Sequence, residues 1–220
     1  FGCAISVFNG SMINRLKINP LIITLGTMMI LRGTGTAICN ATDVICLDPR
    51  LTFLFTCSIG GIIPLSLVFL AAVFLWIVIL LNRTVTGTNL FVIGTNYYAG
   101  HINGILVERV RLFVFLLAGI LYSIGGLFWA SRMNSGSVSI GDNLMLLVLS
   151  SCVIGGTKIS GGKGNPLSVL LGVFLIQTIN NMMSLLALPV SMQMLITGVV
   201  LIISLSVERL LRPKYKRRGI

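Results

Sequence analysis

A chain of 220 residues that is 55% hydrophobic and 10% charged, with a mean hydropathy of +1.01, cannot cover a water-facing surface, since ordinary soluble domains carry roughly a quarter charged residues. Sixteen Lys and Arg against five Asp and Glu give a formal charge of +11, which on a soluble domain points to nucleic acid. Here the basic residues stand between apolar runs, where membrane topology accounts for them and no nucleic-acid partner is expected. The expectation is one transmembrane domain over residues 1–220, an all-α bundle with lipid as its solvent.

In chain order, Phe1 to Phe8 reads as the end of an earlier span. No basic stretch or cleavage site of a signal peptide can be read there, and the start is expected to be a truncation. Ile18 to Ile38 follows Arg15 and Lys17 and is apolar apart from Arg32, which needs a partner, an aqueous cavity or a snorkelling route to the outer interface. Ile62 to Leu81 is uncharged and long enough at 1.5 Å per residue to cross a hydrocarbon layer of about 30 Å. Leu112 to Ala130 follows Arg109 and Arg111 and ends at Trp129, where an interfacial aromatic belongs. Leu144 to Ile154 is too short to span alone, and Leu167 to Met183 follows it across a Gly-rich break. Met192 to Val207 is the last run, and the basic tail 208–220 stops translocation behind it.

Lys and Arg are retained on the cytoplasmic side. Threading the chain on that rule puts Arg15/Lys17, Arg83 through Arg111, Lys158/Lys163 and the C-terminus inside, with two crossings between successive clusters. Only Arg50 and Arg132 fall outside. The expected topology is about six spans plus the end of an earlier one, with outer loops near 39–50, 132–142 and 185–191.

Gly119 and Ser123 are four apart on one helix face, so a neighbouring backbone can approach closely there. Gln177, Asn180 and Asn181 lie near the outer end of an apolar run, where polar side chains are costly unless they meet water, another helix or a ligand. Helix-to-helix hydrogen bonding and lining of a solute pathway are both open for them. The five cysteines form no CxxC pair or metal pattern, although Cys39 and Cys46 suit a disulfide in an oxidising space. His101 is the only histidine, which excludes multi-histidine metal sites. Asp142 and Glu108 are isolated carboxylates, unsuited to paired acid–base chemistry. No GxxxxGK[ST] phosphate loop occurs, so no cofactor is expected in this chain, and any ATP and Mg would be held by another.

Two inner segments, both read as loops, carry a more specific signal. Phe91 to Arg111 reads FVIGTNYYAGHINGILVERVR, and Val153 to Pro166 reads VIGGTKISGGKGNP. The first is similar to a G-x-N-x-x-A-A-x-x-x-G-I pattern at Gly94, Asn96, Ala99, Gly104 and Ile105, with Gly100 in place of the second alanine. The second is similar to GG-[TS]-x-x-x-GG-x-G at Gly155, Gly156, Thr157, Gly161, Gly162 and Gly164. With Ile18 to Gly33, and with Asn180-Asn181 and the closing helix, these resemble the permeases of bacterial ABC importers for ribose, arabinose, xylose, galactose and autoinducer-type solutes.

The resemblance implies a permease in the bacterial inner membrane, without covalent chemistry of its own. The implied partners are a cytoplasmic ATPase subunit, a second permease copy or paralogue, and an extracytoplasmic solute-binding protein. It implies coupling to the ATPase through Gly155, Gly156, Thr157, Lys158, Gly161, Gly162, Lys163 and Gly164, with Gly94, Asn96 and Gly104 on a second contact surface. For the lysines, inside retention of positive charge is the other reading. Gln177, Asn180 and Asn181 are the pathway candidates. The family pattern also places about two spans ahead of Phe1, a glutamate where this chain has Met145, and Ala-Ala where it has Ser150-Ser151. Three other readings stay open: a branched-chain amino-acid ABC permease, an ion-coupled secondary transporter, and an inactive permease remnant.

Overall fold

The computed structural model describes residues 1–40, 42–45, 58–59, 63–138, 141, 144–158 and 161–210. Cys46, Arg50, Asp142 and the tail from residue 211 lie outside them, and so do the Cys39–Cys46 pairing and most of the 39–50 loop expected from the sequence. The described helices are α1 (Gly2–Leu16), α2 (Pro20–Ile38), α3 (Leu65–Arg83), α4 (Val85–Thr95), α5 (Tyr97–Ile102), α6 (Val107–Met133), α7 (Leu144–Ile154), α8 (Pro166–Leu185) and α9 (Val190–Leu210). The expected helical fold is borne out, and the described residues add two short antiparallel pairings to it. β1 (Val44–Ile45) pairs with β4 (Ser135–Gly136), and β2 (Ser58–Ile59) pairs with β3 (Ile63–Pro64).

Four helices, α2, α3, α6 and α8, are long and apolar enough to cross a membrane, and Leu144–Ile154 and Val190–Ser204 are shorter apolar stretches. All six correspond to runs read from hydropathy. Two readings need correction. Residues 91–111, taken as a loop, are largely helical, because α4, α5 and the start of α6 run through them. The helix at the N-terminus extends to Leu16, well past Phe8.

The chain divides into two compact units. The first holds Phe1–Leu90 and Tyr97–Ile140, and the second holds Phe91–Asn96 and Gly141–Ile220.

In the first unit, α1 and α6 lie antiparallel along a seam of small residues. A Cβ on Gly119 would stand 2.7 Å from Ser6 Cβ and 3.0 Å from the Gly2 carbonyl oxygen, while one on Gly2 would strike the Ser123 hydroxyl. Gly10 continues the seam, with Phe115 Cβ 3.2 Å from where its own Cβ would be. The Gly119/Ser123 spacing thus meets Gly2/Ser6 at the same spacing on the partner helix, which brings the two backbones close. Ile13 and Val107 are each 1% exposed.

Polar side chains of α1 are satisfied across helices. Thr27 donates to Asn9 Oδ1 at 2.7 Å. Asn14 donates to the Glu108 carbonyl and accepts from Arg111 Nη1, both at 3.1 Å. Those bonds explain why a helix carrying Asn9 and Asn14 is retained despite its weak apolar signal. Arg111 also lies over the Tyr97 ring, 5.7 Å from its centroid.

In the second unit, α7 packs on α8 and on α9. A Cβ on Gly172 would collide with the Ser151 carbonyl, and one on Gly155 would lie 2.6 Å from Val169 Cα. Ser150 and Ser151 are completely buried. Their hydroxyls donate to the Leu146 and Leu147 carbonyls at 2.8 Å, so each proton is satisfied within its own helix.

The α1–α6 seam makes a direct prediction. Gly119→Val forces the helices apart and destabilises the detergent-purified chain by about 1–3 kcal/mol, the usual range for overpacking, read as a lowered thermal midpoint. Gly125→Ala, on the same helix but with nothing within 4 Å of the added carbon, does not lower it. Equal midpoints for the two variants would refute the seam.

Candidate functional site

The glycine-rich segment between α7 and α8 is tied at both ends. At its start, the Gly156 N–H donates to the Val153 carbonyl at 2.9 Å and the Thr157 N–H to the Cys152 carbonyl at 3.0 Å. With Gly156 at φ +77, this is a Schellman stop for α7. At its end, the Asn165 side chain accepts the Leu167 N–H at 3.1 Å, and Pro166 occupies the first turn of α8, a capping arrangement that Asn19 and Pro20 repeat at the start of α2.

Between these ties the loop closes on itself. The Lys158 N–H donates to the Lys163 carbonyl at 3.0 Å, and the Gly161 N–H to the Lys158 carbonyl at 2.9 Å. Gly161 and Gly162 turn the chain at φ +86 and +79, a region that costs other residues roughly 1 kcal/mol or more.

The turn then lies directly on the last turn of α4. A Cβ on Gly94 would be 2.6 Å from the Gly162 nitrogen, and one on Gly162 would be 2.8 Å from Thr95 Cα. Two motifs about 60 residues apart in sequence therefore touch through main-chain atoms, and no side chain fits between them. Beside the contact, a recess of about 430 Å³ is lined by Phe91, Gly156, Gly162, Lys163, Gly164 and Ser168, among others. The Lys163 side chain is exposed and Lys158 is half-buried. The Thr157 hydroxyl is buried without a hydrogen-bond partner, and its methyl sits 3.3 Å from where a Gly164 Cβ would be.

The other predicted site residues distribute as follows. Asn96 follows α4 and is exposed, with its N–H donated to Val92 at 3.1 Å. Gly104 belongs to the first unit. There it ends α5 at φ +71, in a stop of the same kind, with the Gly104 N–H on His101 and the Ile105 N–H on Gly100, each at 3.0 Å. Gln177 and Asn181 are exposed on one face of α8, whereas Asn180 is partly covered and its amide nitrogen is buried without a partner.

Sequence reasoning missed Phe91, which lines the recess, Thr95, which joins Gly94 on the α4 side of the contact, and Gly172, whose small size lets α8 approach the end of α7. A glycine in a span was visible in the sequence, but the partner it faces was not. Among the described residues no group of His, Cys, Asp and Glu is suited to a metal ion.

A helical chain with four apolar helices of membrane-crossing length and a backbone-built turn between two of its helices has the make-up of a multi-pass helical membrane permease. The chain belongs to the family described as branched-chain amino acid transport system permease components, whose family model it matches over residues 1–205.

Its relatives include a ribose import permease protein of Bacillus subtilis, 33% identical over 204 residues, covering 91% of this chain and 63% of the relative. An L-arabinose transport system permease protein of Escherichia coli is 34% identical over 201 residues, covering 91% and 61%. A D-allose transport system permease protein of Escherichia coli is 31% identical over 211 residues, covering 96% and 64%. The chain therefore spans slightly less than two thirds of the length of these curated relatives. No solved structure matches it.

The contact between the two motifs is testable without any transport assay. Gly94→Val displaces the 158–164 turn, and amide exchange at Lys158 and Gly161 quickens by about tenfold, equivalent to about 1.4 kcal/mol of lost local protection. Gly198→Ala, in the same unit but with nothing within 4 Å of the added carbon, leaves both amides as protected as in the parent. Unchanged exchange in Gly94→Val would mean that the motifs do not rest on each other.

Proposed function

We propose that this chain is the membrane-spanning permease subunit of an ATP-driven importer for a sugar or a closely related polar solute. Its relatives are named as permeases for ribose, L-arabinose and D-allose. The single observation that carries the mechanism is the main-chain contact of Gly94 and Thr95 with Gly161 and Gly162, which makes one surface out of two motifs.

In this reading the chain crosses the bacterial inner membrane about six times, with the C-terminus and the glycine turn in the cytoplasm. The spans enclose a route that opens alternately to either side. ATP and Mg are bound and consumed on a separate ATPase subunit. A second permease copy or paralogue completes the route, and an extracytoplasmic solute-binding protein delivers the solute.

The glycine turn is suited to coupling because it is closed by its own hydrogen bonds and backed by α4, so force applied to it reaches α7 and α8 with little loss in bending. The recess next to Lys163 suits an acidic side chain of the ATPase, and the exposed ammonium would steer it.

The family description names branched-chain amino acids, and that favours one other cargo. Vesicles holding the full chain and its ATPase are therefore to be tested with ribose, L-arabinose, D-allose, galactose and leucine in parallel. The expected result is ATP-dependent uptake of at least one sugar and none of leucine, and leucine uptake alone would replace the sugar reading. In the same vesicles, Gly161→Val combined with Gly162→Val inserts normally but abolishes solute-stimulated ATP hydrolysis. Normal stimulation in that variant would remove the coupling role.

A further inference from the structure

Helix α8 has three distinct sides. Going round it at about 100° per residue, Gly172, Ile176, Asn180 and Met183 fall on one side. Gly172, Ile176 and Met183 are buried, the last two at 2% and 5% exposure. Leu171, Leu175 and Met182 form a second side, exposed and wholly apolar. Between them lies a third, also exposed, that carries Phe174, Gln177, Thr178 and Asn181 along its middle, spaced three, four and seven residues from Phe174 and therefore on one face, with the exposed Leu167 and Leu185 at its two ends.

The second side is what hydrocarbon demands. The third is what it rejects, because an unpaired amide loses roughly 2–7 kcal/mol on leaving water for an apolar medium. Gln177 also stands about 12 Å from the C-terminal end of the helix at 1.5 Å per residue, beyond the reach of its own short side chain. Two carboxamides at neighbouring positions on one face therefore need water, protein or solute in front of them.

The chemistry of this face is selective. It carries no charge, so neither an anionic solute nor the two charges of a free amino acid would find a counter-ion on it. Each carboxamide offers a donor pair and an acceptor, which matches neighbouring hydroxyl groups. The Thr178 hydroxyl proton is committed to the Phe174 carbonyl at 2.7 Å, so Thr178 presents an acceptor. Phe174, 61% exposed, supplies a flat apolar surface one turn away from Gln177 and Thr178.

We propose that the Phe174, Gln177 and Asn181 face of α8 lines the solute route and takes a neutral polyhydroxylated ring, whose C–H face packs on Phe174 while its hydroxyls bond to Gln177 and Asn181. Asn180, on the packed side, has no part in it. This rests on the importer reading above and goes beyond it by naming the contact face and the class of ring it selects.

The test uses single replacements Gln177→Cys, Asn181→Cys and Leu175→Cys in the full chain, in membrane vesicles of both orientations, with labelling by a charged methanethiosulfonate corrected for the parent chain. Positions 177 and 181 label at least about tenfold faster than 175, as the aqueous and lipid environments of the two faces require. One of ribose, L-arabinose, D-allose or galactose slows their labelling several-fold, and leucine does not. In sugar uptake, Phe174→Leu raises KM by about tenfold, a loss of about 1.4 kcal/mol, with kcat little changed, and Phe174→Tyr restores the parent KM.

Labelling at 177 and 181 as slow as at 175 would overturn the proposal even while the parent vesicles still take up sugar, which leaves the importer reading standing. Fast labelling that leucine alone slows, or that no solute slows, would overturn the assigned ring chemistry. An unchanged KM in Phe174→Leu would remove Phe174 from the face.

Discussion

The structure depends on helices meeting at main-chain distance. In a lipid solvent the hydrophobic effect does not draw helices together, because the surroundings are as apolar as their side chains, and association rests on close packing and on the few polar contacts available. Gly2, Ser6 and Gly119 let α1 and α6 close on each other, Gly155 and Gly172 do so for α7 and α8, and Gly94 with Gly162 fixes a loop to a helix end. In each case the near neighbour of the missing Cβ includes backbone atoms, which cannot rotate away as a long side chain can. Glycine thus sets helix position at these contacts, whereas Gly26, Gly33, Gly125, Gly126 and Gly198 stand in helices with nothing within 4 Å of an added carbon.

Polar side chains follow the same economy. Many hydroxyls among the described residues are bonded to a carbonyl one turn back in their own helix, as at Ser150, Ser151 and Thr178, which makes them small and nearly apolar to their surroundings. Three cross-helix bonds, Thr27 to Asn9, Arg111 to Asn14 and Asn14 to Glu108, gather on α1. That helix has the least convincing apolar run of the longer helices, and it is held by packing and hydrogen bonds together.

Much of this was legible in the sequence, and what was not has a physical reason. The cores of α3 and α6 could be read directly, because an uncharged apolar run of about 20 residues has few other fates. The close approach at Gly119 followed from its spacing to Ser123. The length of α1 was missed because its polar residues look like a loop until their partners on other helices are known. Helices α4 and α5 were missed for a related reason: glycines at 94, 100 and 104 and paired tyrosines suggest a turn, yet only Gly104 stops a helix, through its positive φ. At the site, the two motifs were found separately, and their contact was not, since nothing in either segment encodes the other's position. Asn180 and Asn181 are adjacent in sequence, but a rotation of about 100° separates their surroundings.

The glycine turn shows why composition misleads about stiffness. Five glycines between residues 155 and 164 invite the reading of a limp connector that takes shape only on a partner. Instead, positive φ angles at Gly156, Gly161 and Gly162 are locked by hydrogen bonds at the helix end and across the turn, and Gly94 closes off the space into which it could bend. Glycine here supplies a conformation that other residues would pay for in strain, and little freedom remains once it is adopted. A surface of this kind can transmit displacement as a body, because moving it requires moving the ends of α7 and α8. The proposed coupling needs that property: an ATPase pushing on a flexible tether would move only the tether, whereas pushing on a closed turn seated against α4 moves the helices that carry it.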